Sequence, residues 1–305
     1  YDEIKKYGFK GKKVVDCFTF YNELDMLEFR LTELDDIVDT FILVEATHTH
    51  SGSPKPLNFL KNKKRFKKWL HKIYYYVVDD LPRGKDSKHD WFREEYQRNA
   101  IKTPLSHLSL KPLDIVILSD LDEIPDTDTI NQFKKDSVPY GSVGMCMDWY
   151  YYNLTTRLNA LKDPMKSTKC KVFHYETMFK DKLSMSEIRH AEWYAVLEGG
   201  WHLTFFMTED KIIEKLESYA HQEFNTNEIK DPKKIRSLIT EGKDIFPERE
   251  ENNYFYQLPI KDNKYLLMGR GYIDSRNYGS QEDRSPGGGM TKRKWKRPSI
   301  KGNYE

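Results

Sequence analysis

A chain of 305 residues with 50 basic and 48 acidic side chains has a formal net charge of +2, so composition by itself calls for no polyanionic partner. Hydrophobic residues at 38 % suffice for the core of one large α/β domain. A mean hydropathy of −0.79 and the lack of any apolar run of about 18 residues exclude a membrane-spanning helix. Cys17, Cys146 and Cys170 sit in apolar contexts with no metal-type spacing and read as buried thiols of a reducing compartment. With no signal peptide visible, the chain as given is expected to be soluble or cytoplasmic. It starts at Tyr1 rather than Met, which leaves an upstream anchor or leader open.

The first predicted element is a strand over Val14 to Phe20, followed by Asn22 as a helix N-cap and a helix with Leu24, Leu27, Leu31 and Leu34 on one face. Val38 to Ala46 reads as a second strand. The basic stretch 61 to 72 reads as a helix whose apolar side is Phe66, Trp69 and Leu70. A third strand spans 73 to 78, a helix 90 to 101 and a fourth strand 114 to 119, the alternation of a parallel sheet with crossover helices. Beyond Pro125, a helix is expected over 126 to 135 and strand patterns over 142 to 154, 169 to 179 and 191 to 206. A helix over 209 to 221 has Thr208 as its cap, and another is bracketed by Asp231, Pro232 and Gly242. From Gly269 the chain turns polar and glycine-rich, and "KRKWKR" (292–297) is basic. Residues 269–305 read as a flexible tail, either solubilising or a contact for an anionic partner such as nucleic acid or membrane phosphate.

The chemistry concentrates in "DIVILSDLDEIP" (114–125). Ile115 to Leu118 is a buried parallel strand, and Asp120, Asp122 and Glu123 arrive at its carboxyl end. Ligands of open α/β sheets bind beyond such strand ends. Packed carboxylates there call for a hard divalent cation, Mg²⁺ or Mn²⁺, which would bridge to phosphate oxygens. The plainer alternative is a solvated turn capping the following helix. A calcium EF-hand loop is excluded, because Ile124 and Pro125 stand where a ligand and a glycine are required. Two functions of other classes stay in play: a haloacid-dehalogenase-type phosphohydrolase with Asp120 as nucleophile, and a non-catalytic carbohydrate- or nucleic-acid-binding protein that uses the abundant aromatics.

The segments "FTFYNELDMLEFRLTELDDIVDTFILVEATHTHSGSPKPL" (18–57), "SDLDEIP" (119–125) and "GGWHLTFF" (199–206) resemble glycosyltransferase family 17, the family of the bisecting β-1,4-N-acetylglucosaminyltransferase. The resemblance runs over about 14 to 267. It implies a GT-A-like α/β fold: a Rossmann-like mixed sheet flanked by helices, with a nucleotide-sugar half (1–125), an acceptor half (126–268) and the tail (269–305). It also implies inverting transfer from a sugar nucleotide, UDP-GlcNAc foremost, to a hydroxyl of a glycan or other acceptor. Mn²⁺ or Mg²⁺ would sit on Asp120 and Asp122. The vertebrate members are Golgi-anchored.

On that frame each candidate takes a role beside a bland alternative. Asp120 and Asp122 would hold the metal and through it the diphosphate. Glu123 would tune that site or cap a helix. The turn after the first strand, with Phe18, Phe20, Asn22 and Glu23, would face the nucleotide; Glu45 would accept from ribose or base, or be a surface charge. Arg93, Gln97 and Arg98, on one helix, would aim cations at the diphosphate, or pair with Glu94 and Glu95. His48 and His50 read as polar loop residues. His202, after Gly199 and Gly200, is the candidate third metal ligand, and the two glycines would admit backbone close to the ligand. Trp201 would stack on a sugar or fill the core, and Tyr151 and Asn153 would line the acceptor side. The general base an inverting transfer needs is assigned to Glu198, with Asp148 and Glu192 as rivals. His221 and Glu223 stay undecided between a helix cap and the site.

Overall fold

In the computed structural model the described residues are 11–84, 87–135, 141–159, 168–246 and 254–257. The residue 269–305 tail and its basic run lie outside them. The elements in order are β1 (Val14–Phe20), α1 (Leu24–Leu34), β2 (Thr40–Ala46), α2 (Asn58–Asn62), β3 (Ile73–Val78), α3 (Ser87–Asn99) and α4 (Lys102–His107). Next come β4 (Ile115–Leu118), β5 (Glu123–Pro125), α5 (Thr127–Lys134), β6 (Ser142–Tyr151), β7 (Thr156–Asn159), β8 (Cys170–His174) and α6 (Thr177–Lys180). The last are α7 (Met185–His190), β9 (Ala195–Thr204), α8 (Glu209–Ser218), α9 (Pro232–Glu241) and β10 (Tyr254–Gln257).

The fold is a mixed α/β sheet with helices on both faces. Its main path runs β10-β7-β6-β8-β4-β1-β2-β3, and β9 joins through β6 and carries β5 on its other edge. The block β4-β1-β2-β3 is parallel throughout, whereas β8 runs antiparallel to both β4 and β6. β1 lies between β2 and β4, so successive connections leave it in opposite directions. That places a crevice at the carboxyl ends of β1 and β4.

Strand alternation sorts the core into two layers. Val14, Phe18, Ile115 and Ile117 pack with Leu27, Leu31 and Leu34 of α1 and Phe133 of α5. Val15, Cys17, Val116 and Leu118 pack with Ile101, Leu105, Met185 and Ile188 on the opposite face. Each of these fully buried aliphatic side chains contributes roughly 1.5–3 kcal/mol. A third cluster joins α8 and α9 to Tyr151, Tyr152, Phe205 and Phe246.

Several local expectations are corrected. Asn22 does not cap α1; Glu23 holds the N-cap position, and its carboxylate accepts from the Asn22 backbone N–H at 3.1 Å. The basic stretch forms only the end of α2 and a single 3₁₀ turn (Lys63–Phe66). The helical face therefore ends early: Phe66 and Trp69 are buried, while Leu70 is 41 % exposed. Thr208 precedes α8 without a side-chain cap bond, and α8 stops at Ser218. Around α9 the sequence signals are met, with the Asp231 carboxylate accepting from Lys233 N, Pro232 in the first turn and Gly242 left-handed at φ 64°.

Gly199 and Gly200 serve the sheet rather than a ligand. They sit in an irregular crossing where β9 shifts register against β6 between Met145 and Met147. A Cβ on Gly199 would stand 2.9 Å from the Met145 and Cys146 backbone. At Gly200, whose φ is +138°, a Cβ would meet the Ile124 carbonyl at 2.1 Å. The close approach that both positions permit is strand against strand.

Candidate active site

The turn Ser119–Asp122 leaves β4, and its chain returns at once as β5, paired antiparallel with β9 so that Glu123 stands opposite His202. Acidic side chains in a reversal this tight repel one another unless cations hold them. Cations do so here, and each comes from a distant element. Arg30 of α1 is fully buried and chelates Asp16 of β1 at 2.8 and 2.6 Å. The same guanidinium donates to Ser119 Oγ at 2.6 Å and to the carbonyls of Asp120, Leu121 and Glu123 at 2.9, 3.2 and 2.8 Å. It braces the backbone of the turn from beneath.

Arg189, at the end of α7, grips the Glu123 carboxylate with both terminal nitrogens, at 2.7 and 3.0 Å, and reaches Asp120 at 2.5 Å. Arg98 of α3 approaches Asp120 from the other side at 3.4 Å. Burial alone would raise the Asp120 carboxyl; the Arg189 and Arg98 charges outweigh it and hold the group well below the usual carboxylate range. Glu123 is likewise held down against its burial, chiefly by Arg189. Glu123 is thus an anchor for Arg189, and the cap of α5 is Asp126, which accepts from Thr129 N at 3.0 Å.

Asp122 points to a different set. Its Oδ1 lies 3.6 Å from His202 Nε2 and its Oδ2 lies 3.6 Å from Lys215 Nζ on α8, which is also 3.4 Å from Glu23. Burial works against the Lys215 charge, but Asp122 and Glu23 prevail and push its pKa up to about 12. His202 stacks on Trp149, centroids 4.6 Å apart and planes 10° apart. Trp149 is the residue opposite it on β6.

These groups line a cleft of about 700 Å³ at the carboxyl end of the parallel block. Phe20, Tyr21 and Glu23 from the β1 turn form one wall, and His48, His50 and Gln97 another. Cationic Arg98, Lys169, Arg189 and Lys215 enclose the acidic turn. Lys169 has its pKa lowered by burial and next by the nearby Arg189 charge. Aromatic Trp91, Trp149, Tyr151, Phe205 and Tyr219 complete the lining. An anion such as a diphosphate suits the cations, and a sugar ring suits the flat apolar faces.

Of the residues singled out from sequence, Phe20, Glu23, Gln97, Arg98, Asp120, Asp122, Tyr151, His202 and His221 come together at this cleft, as do His48 and His50, read from sequence as polar loop residues. Others are placed elsewhere, each for a visible reason. Phe18 is a core residue with the Arg30 guanidinium over its ring. Asn22 is not among the cleft-lining residues. Glu45 is fully buried and saturated: it accepts from Lys55 Nζ, the backbone N–H groups of Asn58 and Phe59, and Tyr75 Oη. It starts α2 rather than facing a ribose. Arg93 is buried under the cleft wall, donating to Asp90 and to the carbonyls of His50, Pro82 and Gly84. Trp201 packs against the core, and Trp149 takes the aromatic position beside His202. Asn153 folds a local turn by accepting from Thr155 and Thr156.

None of the three base candidates reaches the cleft lining. Asp148 is paired with Arg157. Glu192 is exposed ahead of β9, and Glu198 is exposed at φ 56° in the irregular crossing, turned out with the strand. Arg30, Asp16, Arg189 and Lys215 went unrecognised in the sequence. Arg30 and Asp16 did carry a signal, because each charge interrupts an apolar stripe of its own element.

As for a metal, no group of three His, Cys, Asp or Glu among the described residues stands close enough to hold an ion unaided. The carboxylate and imidazole of Asp122 and His202 form a two-residue donor pair of a type that suits Mn²⁺ or Mg²⁺ when ligand oxygens and water complete the shell. Asp120 adjoins the pair on the same turn, its oxygens engaged by Arg98 and Arg189.

The cleft sets cationic side chains beside flat aromatic faces, and comparison with known proteins gives the chain a family. The chain matches the description "Glycosyltransferase family 17" over residues 4–264 and belongs to that family. The β-1,4-mannosyl-glycoprotein 4-β-N-acetylglucosaminyltransferases of Rattus norvegicus, Homo sapiens and Mus musculus are each 32 % identical to it over 123 residues. That match covers 39 % of this chain and 23 % of each relative's length. A solved structure titled as a mycobacterial protein aligns with 63 % of this chain and 67 % of its own, at 11 % identity and a TM-score of 0.29. Family membership speaks against the phosphohydrolase reading. Among the described residues no helix is long and apolar enough to cross a membrane.

Proposed function

We propose that this glycosyltransferase has a GT-A arrangement and moves N-acetylglucosamine from UDP-GlcNAc, with inversion and with Mn²⁺ or Mg²⁺, to a hydroxyl of a β-mannosyl-containing glycan. The observation that carries the reading is the Asp122–His202 donor pair set beside Lys215 and the Arg98–Arg189 guanidiniums, at the carboxyl ends of β1 and β4. Asp122 and His202 would hold the metal, with Asp120 adjoining; when bound, it supplies charge neutralisation for the departing diphosphate. The chain's own cations act on the same charge. Lys215 stands ready on the donor side, since its pKa near 12 keeps it protonated at any working pH. Arg98 and Arg189 hold the turn against its own repulsion, and their guanidinium charges line the cleft where the diphosphate would sit. The β1 turn, with Phe20, Tyr21 and Glu23, is the wall for the nucleoside. The acceptor half is the aromatic side, where Trp149 and Tyr151 offer faces for a pyranose ring and exclude water from the reacting centre.

The test is release of nucleoside diphosphate from a panel of sugar nucleotides, with Mn²⁺ or with EDTA, for the wild type and Asp122→Asn. The reading expects metal-dependent release from UDP-GlcNAc that falls by roughly 10²-fold or more in the variant. Release that ignores both EDTA and the substitution would refute the assigned site.

A further inference from the structure

With Glu198, Asp148 and Glu192 outside the cleft, the transfer has no base among the residues first considered. Most acidic groups on the cleft wall are already committed. Asp120 is held by Arg189, Asp122 faces His202 and Lys215, Glu23 pairs with Lys215, and Glu94 pairs with Arg98. Glu187 closes the capping box of α7 with Ser184. The lining histidines divide in the same way. His48 is bonded through Nδ1 to Thr47 Oγ1, His50 is bonded through Nε2 to Gln97 with Glu94 near its other nitrogen, His190 is bonded to the Ser186 carbonyl, and His202 faces Asp122.

His221 differs. It lines the cleft just past the end of α8, and its Nδ1 lies 2.6 Å from Glu223 Oε1. A carboxylate only accepts, so Nδ1 carries the hydrogen, and Nε2 is the nitrogen that can take a proton. The ring is fixed on several sides: edge-on to Trp91 at 4.4 Å, with Tyr219 and Phe224 at 5.5 and 5.6 Å. Trp91 is 44 % exposed and Tyr219 lines the same cleft, so the imidazole stands among aromatic faces on which a sugar can stack. An imidazole oriented by a carboxylate and set in the wall of the cleft has the arrangement of a general base.

We propose that His221 is the general base that deprotonates the acceptor hydroxyl, with Glu223 as the positioning residue that fixes its tautomer. The proposal rests on the transferase reading above. As the acceptor oxygen bonds to the anomeric carbon, its proton passes to His221 Nε2. The bond from that carbon to the diphosphate oxygen breaks, and its electron pair leaves with the nucleoside diphosphate. The imidazolium is stabilised by the Glu223 carboxylate and returns its proton to solvent at the cleft mouth.

The experiment measures transfer from UDP-GlcNAc to a β-1,4-mannosyl glycopeptide, UDP-GlcNAc binding by calorimetry, and thermal melting. The proteins are wild type, His221→Asn, Glu223→Gln and Glu95→Gln; Glu95 is the exposed carboxylate on the same wall. In His221→Asn, kcat is expected to fall by roughly 10²- to 10⁴-fold with donor Kd unchanged within about threefold. In Glu223→Gln, kcat falls by about tenfold or more, again with donor Kd held. Glu95→Gln keeps wild-type kcat. If His221→Asn does not fold, the Glu223→Gln result decides. The assignment is overturned if His221→Asn or, in its absence, Glu223→Gln keeps kcat within about threefold, if donor binding falls in step with kcat, or if Glu95→Gln shows the loss instead. A wild type that binds donor and transfers, with intact variants, sinks only the base assignment. A wild type that neither binds nor turns over the donor sinks the transferase reading and this assignment with it.

Discussion

Replacing Arg30 by methionine removes six hydrogen bonds from a fully buried side chain: two to Asp16, one to Ser119 Oγ and three to carbonyls of the acidic turn. Two penalties follow. Asp16, itself fully buried, loses its counter-charge, which for a buried pair costs about 3–5 kcal/mol. The turn carbonyls lose their donor, about 1–3 kcal/mol for each left unsatisfied, with the parts not additive. A domain of ordinary stability, about 5–15 kcal/mol, would then stand near its unfolding threshold. Urea denaturation followed by tryptophan fluorescence measures the change, and a companion double variant separates the parts. Asp16→Leu with Arg30→Met removes the buried charge, so it should regain most of the first penalty and keep the second. The reasoning fails if Arg30→Met alone is within about 1 kcal/mol of wild type, or if the double variant is no more stable than the single.

The half-buried Lys215 and the buried Lys171 should show opposite responses to alkali. Lys215 has its pKa raised from 10.5 to about 12, so its pairing with Asp122 and Glu23 stabilises the fold below pH 10.5 and is lost as pH rises through 12. Lys215→Met should cost on the order of 2 kcal/mol at neutral pH in urea titrations, with the gap to wild type narrowing above pH 10.5. Lys171, whose ammonium is buried beneath Trp193 and donates to the Ala191 carbonyl at 2.6 Å, has its pKa lowered by burial from 10.5 to about 8. Here the unfolded chain binds more protons between those values. Wild-type stability relative to Lys171→Met should therefore rise from pH 8 to 10.5, by up to about 3 kcal/mol. A flat difference across that range would show that the ammonium is solvated.

The parallel half was legible because its signals are local. Continuous apolar runs at 14–20, 40–46 and 115–118 separated by helical stretches can hardly form anything but crossover units. The acidic turn was legible for the same reason, since carboxylates at the end of a buried strand need partners. What escaped were the partners. Arg189 lies 69 residues from Asp120 in the chain and sits on α7, a short helix whose Ser184–Glu187 capping box was not read as a helix start; Lys215 comes from the charged face of α8. Glu45 misled because a strand-end carboxylate looks the same whether it meets a ribose or, as here, the two backbone N–H groups that start α2. Glu198, chosen for its place just before Gly199 and Gly200, stands exposed outside the cleft lining because the chain there makes the irregular crossing of β9. His221 and Glu223 were visible in the sequence but undecided between a helix cap and the site, because only the packing of His221 against Trp91 brings its ring to the cleft.

Calorimetric titration of UDP-GlcNAc into the protein, in Mn²⁺ and again in EDTA, tests most directly whether the Asp122–His202 pair and the surrounding cations form a donor-diphosphate site. The account predicts saturable one-site binding in Mn²⁺ that weakens by roughly tenfold or more in EDTA, and as much in His202→Gln without added EDTA effect. Equal binding under both conditions and in the variant would contradict it, as would a complete lack of binding by the folded wild type.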